Sequence, residues 1–213
     1  MVINKIESLF QKRKESIREK GLFLFLRHLF FHYVICYIYE NTLNGPSFPC
    51  RINNTQSKIV SSVEEFDYLL KKGFDFTSFS LKNQQYKIRL RNGAVLFCLC
   101  VNGEVAHTSW LGLDKEAFHD FYPFPPEDDS AGYIGGTVTA PKYRRKGINL
   151  YIHSEMFRYL KRKGVPKALF SIRKENIAAR NSQMKLDSFI KEERHELRFL
   201  LFFSFKWVRV RIA

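Results

Sequence analysis

One stretch of the chain, Thr137 to Lys163, constrains the fold more than any other. Its sequence, TVTAPKYRRKGINLYIHSEMFRYLKRK, begins with β-branched residues, passes through a basic loop and continues as an amphipathic pattern. Pro141 lacks a backbone donor and ends the strand, and the apolar spacing after Gly147 predicts a helix. This order of elements points backbone N–H groups and the positive end of the helix dipole at one place, which suits a phosphate group. An ordinary connection with a solvated basic loop has the same pattern.

The predicted helix has an apolar stripe at 3.6-residue spacing, formed by Ile148, Ile152, Met156, Tyr159 and Leu160. Its last turn is basic and Gly164 follows as a stop signal. Residues 165–172 then have strand composition, and a further helix is predicted from Ile177 to about Leu186.

The composition indicates a folded, basic protein. The chain has 213 residues, 45% of them hydrophobic, and a formal net charge of +14, which suits polyanionic partners such as nucleic acid, an anionic membrane surface or a phosphorylated cofactor. Its four cysteines lack metal-ligand spacing, so no metal site is predicted and a reducing cytoplasm is expected. Cys98 and Cys100 are expected to pack as small hydrophobic residues on one face of a strand.

Residues 1–40 are predicted to be a basic, aromatic-rich helical extension, with helices at 3–20 and from Leu22 to about His32 and a strand from Tyr33 to Tyr39. The extension can lie on an anionic membrane surface, or it can pack its apolar face on the domain behind it, which we favour. The run from Leu22 to Tyr39 is interrupted by Arg27, His28 and His32, which disfavours a membrane-spanning helix. No secretory signal pattern opens the sequence.

Residues 41–55 are predicted to be a linker and residues 56–213 one domain. The fold class expected is mixed α/β, with a mainly antiparallel twisted sheet flanked by helices. One helix is predicted at residues 63–72, and the predicted strands are 58–61, 86–90, 94–101, 104–111, 133–139 and an edge strand in 197–212. Asn102-Gly103 is a strong hairpin signal between two of these strands, and Arg91-Asn92-Gly93 is predicted as another turn.

The segment from Val138 to Ile148, followed downstream by Asn176-Ile177-Ala178-Ala179, resembles the GNAT superfamily of acyl-CoA-dependent N-acyltransferases. The likeness is best over residues 131–189 and extends more diffusely to the strands from residue 86. The resemblance implies acetyl-CoA as cosubstrate. In the family, the strand before the loop splays from its neighbour and binds pantetheine and the acyl carbonyl, while the loop N–H groups hold the pyrophosphate. By resemblance, the cofactor-binding residues are Val138, Thr139, Arg144, Arg145, Lys146, Gly147, Ile148, Asn149 and Asn176.

Three positions depart from the family pattern. Arg144 and Gly147 match its Q/R-x-x-G-x-G/A signature, but Asn149 replaces the last small residue. Gln183 stands where the resemblance implies a tyrosine that protonates the departing thiolate. Asp187-Ser188-Phe189 replaces the usual Gly-Phe. Acyl-CoA binding is therefore better supported by the sequence than efficient catalysis.

Acyl transfer needs a base for the amine and N–H donors for the carbonyl oxygen. The candidate bases are His107, Glu127 and Tyr133, and His119 and His153 rank lower. Each candidate has a structural alternative: His107 as a satisfied core residue, Glu127 as a solvated loop charge and Tyr133 as a packing aromatic.

The sequence thus predicts an N-acetyltransferase that moves an acetyl group from acetyl-CoA to a primary amine, such as a small amine or an amino sugar of an envelope precursor. The alternative is a non-catalytic basic module that docks on a membrane surface or nucleic acid. No nucleic-acid recognition motif is present, which disfavours that partner. The expected location is cytoplasmic, with residues 1–40 able to hold the protein at the inner face of the membrane.

Overall fold

The computed structural model describes residues 31–79, 81–114, 117, 128–199 and 203–210. The strands among these residues, β1 to β8, span Phe31–Asn41, Thr55–Val60, Val95–Val101, Glu104–Gly112, Ala131–Thr139, Lys167–Arg173, Phe189–Phe199 and Phe203–Val210. The helices, α1 to α4, span Val63–Lys71, Asn83–Arg91, Ile148–Arg162 and Ile177–Lys185. The described residues divide into a larger unit, Tyr37–Lys191, and a smaller unit made of residues 31–36 and those from Glu192 onward.

The larger unit contains a sheet of strand order β2-β3-β4-β5-β6-β1. The pairs β2/β3, β3/β4 and β4/β5 are antiparallel, whereas β5 and β6 are parallel and joined through α3. The mixed, mainly antiparallel α/β fold predicted from the sequence is therefore confirmed. Residues 42–54 contain neither helix nor strand, and the predicted boundaries of the extension, linker and domain stay a prediction.

Helices cover both faces of this sheet. Phe97 on β3 packs on Tyr159 of α3, with ring centres 5.5 Å apart. Leu96, the residue before Phe97, pairs with Trp110 of β4 and shares its face of the sheet. Trp110 packs on Tyr86 of α2, with ring centres 5.4 Å apart. Neighbouring residues of a strand point to opposite faces, so α2 and α3 lie on opposite sides. Burial on both sides explains why β3 is apolar throughout, with Cys98 and Cys100 buried as expected.

Residues 86–90 were predicted as a strand, and this prediction is wrong because they belong to α2. Tyr86, Arg89 and Leu90 are buried at helical spacing, and Gln85 Oε1 accepts a 2.8 Å hydrogen bond from the Lys82 amide at the start of the helix. Arg91-Asn92-Gly93 is correspondingly the helix end rather than a hairpin turn, with Gly93 N donating to Leu90 O at 3.1 Å.

The remaining local predictions are largely confirmed. Helix α1 begins after Ser62, whose hydroxyl accepts from Glu65 N at 3.2 Å, and the Asn102-Gly103 turn joins β3 to β4. Four residues of the predicted α3 stripe are buried and Tyr159 is partly buried. Strand β1 confirms the strand predicted at 33–39 but begins at Phe31, so the helix predicted before it cannot reach His32.

The smaller unit has the strand order β1-β7-β8, with β7 and β8 antiparallel. Strand β8 is an edge among the described strands, as predicted for the end of the chain. Residues 1–30, Glu127 and His119 lie outside the described residues.

Candidate active site

Strands β5 and β6 part from each other halfway along β5. They are paired from Ala131↔Lys167 to Ile134↔Phe170, yet β5 continues to Thr139 and β6 to Arg173. Over residues 135–139, β5 is paired with β4 alone among the described strands. Gly136 and Thr137 are exposed there. No described strand covers the other backbone edge of β5 over these residues, which leaves a slot for an extended ligand with amide groups.

A bulge marks the point where the strands part. The β4/β5 register shifts between Thr108 and Trp110, and Gly136 has φ +57°. A Cβ at Gly136 would lie 2.9 Å from Trp110 Cδ1 and 3.0 Å from Arg89 Nη1, so only glycine lets these groups pack so close. The guanidinium of Arg89 also lies over the Trp110 ring at 5.3 Å. A largely buried cation therefore lies beside β5 at the bulge.

The loop after β5 has the geometry of an anion cradle. Pro141–Tyr143 forms one 3-10 turn, Arg145 and Gly147 adopt φ +63° and +78°, and α3 starts at Ile148. The first N–H groups of an α-helix have no partner inside the helix, and residues alternating with left-handed conformation turn successive amides toward one concavity. A Cβ built on Gly147 meets nothing within 4 Å, so these amides border open space.

Some basic side chains of the loop form ion pairs or hydrogen bonds within the protein, and others face the solvent. Lys142 forms an ion pair with Glu104, Tyr143 Oη donates to the same carboxylate at 3.2 Å, and Arg144 Nε donates to Thr139 O at 3.1 Å. The hydrogen bonds from Lys142 and Tyr143 lower the pKa of Glu104. Arg145 and Lys146 are exposed, with Lys146 Nζ 5.6 Å from the Tyr143 ring centre. The contacts of Lys142, Tyr143 and Arg144 hold the loop in place, and exposed Arg145 and Lys146 add positive charge beside it.

Asn149, the residue that departs from the family signature, lies in the first turn of α3. Its side-chain Oδ1 is buried and has no hydrogen-bond partner in the described structure. Unpartnered buried polar atoms are uncommon in native proteins. The departure at Asn149 therefore adds a hydrogen-bond acceptor at the start of α3.

His107 lies on the α3 face of the sheet and is fully buried. Its Nδ1 is 2.8 Å from Thr139 Oγ1, while Nε2 and both ring nitrogens of His153 have no partner in the described structure. Burial, and secondarily His153, lowers the pKa of His107 to about 3, and burial lowers the pKa of His153 to about 4. Both rings are neutral near pH 7, and His107 braces the end of β5.

Tyr133 and Asp128 lie at the paired end of β5. The buried Tyr133 hydroxyl donates to Asp128 O at 2.5 Å. Asp128 is itself paired with Lys167 at 2.6 Å and Lys191 at 3.2 Å, and the hydrogen bond from Lys167 is the main cause that holds the pKa of Asp128 well below its usual range. The Asp128 charge is therefore already compensated by two lysines.

Asn176 and Gln183 frame helix α4. Asn176 is its N-cap, with Oδ1 accepting from Ala179 N at 3.1 Å, and its Nδ2 group remains a donor. Gln183 is buried and its Oε1 accepts from Ser188 Oγ at 3.0 Å, so this side chain holds the helix end. Asp187 adopts φ +58°, the left-handed conformation for which glycine is the usual residue.

The structure thus brings together Val138, Thr139, the 144–149 loop and α3, while Tyr133 lies at the other end of β5. Sequence reasoning missed Arg89, because it fell in a segment read as a strand. Its signal was available in the spacing of Tyr86, Arg89 and Leu90. Among the described residues, no three His, Cys, Asp or Glu side chains cluster as metal ligands, and no helix is long and apolar enough to cross a membrane.

No protein-family model matches the chain, and no curated protein matches its sequence. Solved structures do match. A GCN5-related N-acetyltransferase from Sphaerobacter thermophilus gives a TM-score of 0.53 at 14% identity, covering 84% of this chain and 56% of that one. A GNAT-family acetyltransferase from Colwellia psychrerythraea gives 0.51 at 13% identity, covering 78% and 55%. A Drosophila protein from a structural genomics consortium gives 0.51 at 11%, covering 87% and 58%.

At this level of identity the likeness concerns the fold. The chain has the fold of the GCN5-related N-acetyltransferases, which confirms the fold that the sequence resemblance implies. The chain spans just over half the length of each of these three structures.

Proposed function

We propose that the protein is an acyl-CoA-dependent N-acyltransferase that moves an acetyl group from acetyl-CoA to a primary amine. The observation that carries the proposal is the parting of β5 from β6 after Ile134, next to an open loop at the start of α3. A closed sheet would offer no slot for pantetheine. The N-acetyltransferases of the same fold support the class of reaction.

In this proposal the cosubstrate lies with its pyrophosphate against the loop amides of residues 144–149 and its pantetheine along the open edge of β5. Val138 and Thr139 would supply backbone hydrogen bonds, and Asn176 Nδ2 a further donor across the slot. Exposed Arg145 and Lys146 would add attraction for phosphate.

The reaction follows from this placement. The amine nitrogen attacks the thioester carbonyl carbon, a C–N bond forms, and the C–S bond breaks as the thiolate leaves with the electron pair. A base takes one proton from the amine, and the thiolate finally takes a proton. Backbone N–H groups on the open edge of β5 would stabilise the carbonyl oxygen while it is negatively charged, with the cation of Arg89 close by.

We propose Glu127 as the base. His107 is buried with a strongly lowered pKa, and the Tyr133 hydroxyl is held by a backbone carbonyl, so both suit structural roles better. Glu127 immediately precedes Asp128 in the sequence and lies outside the described residues. Glu127→Gln should lower kcat about 10²-fold or more while leaving acetyl-CoA affinity unchanged.

A small amine or an amino sugar of an envelope precursor is the acceptor we propose. The experiment is release of free CoA thiol from acetyl-CoA with a panel of such amines, using the full chain. Amine-dependent thiol release supports the proposal. Tight acetyl-CoA binding with no release over the panel would instead support a non-catalytic binding module, which is favoured by the structural use of Gln183 where the family has its general acid.

A further inference from the structure

The edge strand of the smaller unit exposes aromatic and basic side chains together. Phe205, Trp207 and Val208 are 62%, 44% and 51% exposed, and Lys206 and Arg209 are also exposed. In the described part of the chain β8 pairs with β7 alone, so no described strand covers its other edge. Exposed apolar groups on an edge strand indicate an interaction surface.

A cluster of three rings supports this strand. His195 stacks on Trp207 with ring centres 5.0 Å apart and on Tyr33 at 5.9 Å, and Tyr33 Oη lies 2.5 Å from His195 Nδ1. Tyr33 and Trp207 also stack on each other, with ring centres 6.0 Å apart. Trp207, on the edge strand, is therefore held in place by two other rings.

The acids among the described residues of this unit are covered or paired. Glu193 and Glu196 are 6% and 2% exposed, Glu192 pairs with Arg194 at 2.7 Å, and Glu196 pairs with Lys206 at 3.8 Å. Arg209 is exposed. The sequence leading into β1, residues 1–30, adds seven Lys or Arg against three Glu. An anionic surface therefore complements this part of the molecule.

We propose that β8 docks the protein on an anionic phospholipid bilayer. Phe205, Trp207 and Arg209 share one strand face, so the two rings would enter the interfacial layer, where aromatic rings are favoured, while Arg209 meets the lipid phosphates. Lys206 lies on the other face, paired with Glu196. Insertion is limited to the hydrated headgroup layer, because the unpaired backbone edge would lose its water in the hydrocarbon core. The proposal does not depend on acyl transfer.

Two other partners fit less well. A second copy paired edge to edge would bring the Lys206 and Arg209 charges of both chains together, and lysine on an edge strand opposes such pairing. Single-stranded nucleic acid needs several separate ring faces on which successive bases stack, whereas Tyr33, His195 and Trp207 stack on one another.

The test is sedimentation of the full chain with vesicles of phosphatidylcholine alone and of phosphatidylcholine with phosphatidylglycerol. Binding to the anionic vesicles is expected, and added salt should weaken it. Arg209→Ser should reduce partitioning about fivefold, and the double variant Phe205→Ser/Trp207→Ser should reduce it as well. The matched control is Tyr68→Ser/Lys71→Ser on α1, where Tyr68 is 58% exposed, and it should bind like the wild type.

Tryptophan fluorescence gives a second readout on the wild type, independent of variant folding. The chain has two tryptophans, and Trp110 is fully buried while Trp207 is exposed. Anionic vesicles should shift the emission to the blue and brominated lipid should quench it, with both effects lost in Trp207→Phe. Vesicle binding unchanged in Arg209→Ser and in Phe205→Ser/Trp207→Ser would overturn the proposal. A dimer that the same variants abolish would also overturn it. Oligonucleotide binding that is tighter than vesicle binding and is abolished by the same variants would overturn it as well.

Discussion

Gly147 has a left-handed backbone conformation, and the absence of a side chain leaves space beside its amide. Its φ of +78° disfavours any other residue, and a Cβ there would meet nothing within 4 Å, in the loop where we propose that the pyrophosphate binds. Gly147→Ala should lower the free energy of unfolding by about 1–2 kcal/mol and weaken acetyl-CoA binding about tenfold, as for loss of one charged hydrogen bond.

Gly164 at the other end of α3 is the matched control. It has φ +72° and equally open surroundings, so Gly164→Ala should have the same stability cost and leave acetyl-CoA affinity unchanged. Chemical denaturation and calorimetry measure the two quantities. Equal affinity of both variants for acetyl-CoA would contradict the placement of the cradle at Gly147.

The buried histidines predict a pH dependence of stability. Their folded-state pKa values of about 3 and 4 lie below the ordinary value of 6.5, so between these limits the unfolded chain binds more protons. Their contribution is fully present above pH 6.5 and is lost as the pH falls, by about 1.4 kcal/mol per pH unit for each histidine. His153→Phe should therefore show a shallower fall in unfolding free energy between pH 6.5 and 4.5. A slope equal to that of the wild type would show that His153 does not remain neutral in the folded protein.

At the scale of elements, a buried polar network ties the end of α4 to the end of β1. Asn41 Nδ2 donates to Leu186 O at 2.6 Å and to Ser188 Oγ at 3.0 Å, and Asn41 Oδ1 accepts from Leu43 N at 2.6 Å. Asn41→Ala leaves these buried groups unsatisfied and should cost about 2–4 kcal/mol by chemical denaturation. Asn44→Ala, at an exposed position, should change stability by less than about 0.5 kcal/mol. A similar small effect of both variants would show that the network contributes little.

Elements with strong local signals were predictable, and elements that depend on distant contacts were not. Helix α3 and its loop follow from apolar spacing, Pro141 and the glycines at its ends. Helix α2 was mistaken for a strand because Tyr86, Ile88 and Leu90 alternate, whereas packing of Tyr86 on Phe66 and Trp110 decides its structure. The parting of β5 from β6 depends on pairing between strands far apart in sequence, and only the family resemblance indicated it.

Within the site too, roles that follow from local motifs were predictable from the sequence, and roles that depend on distant contacts were not. Thr139 and Gly147 were placed by the local motif, but the Arg89 position beside the bulge depends on α2 packing against β4. Gln183 could be recognised from sequence as a departure from the family pattern, yet its contact with Ser188 required the structure.

At the scale of the whole molecule, the larger unit carries the slot and the cradle, and the smaller unit carries the exposed β8 surface. The two proposed activities can therefore be separated experimentally. The β8 variants should keep the acetyl-CoA affinity of the wild type, and Gly147→Ala should keep its vesicle binding. Loss of both activities in either variant would show that the two are not independent.

The most direct test of the central claim is titration calorimetry of acetyl-CoA into the full chain, with ADP as the comparison ligand. ADP shares the pyrophosphate but lacks the pantetheine arm, so it separates a specific slot from general attraction to a chain of net charge +14. We predict one site with a dissociation constant below about 1 mM for acetyl-CoA and clearly weaker binding of ADP. Absence of acetyl-CoA binding in that range, or equal affinity for ADP, would contradict the proposed acyltransferase site.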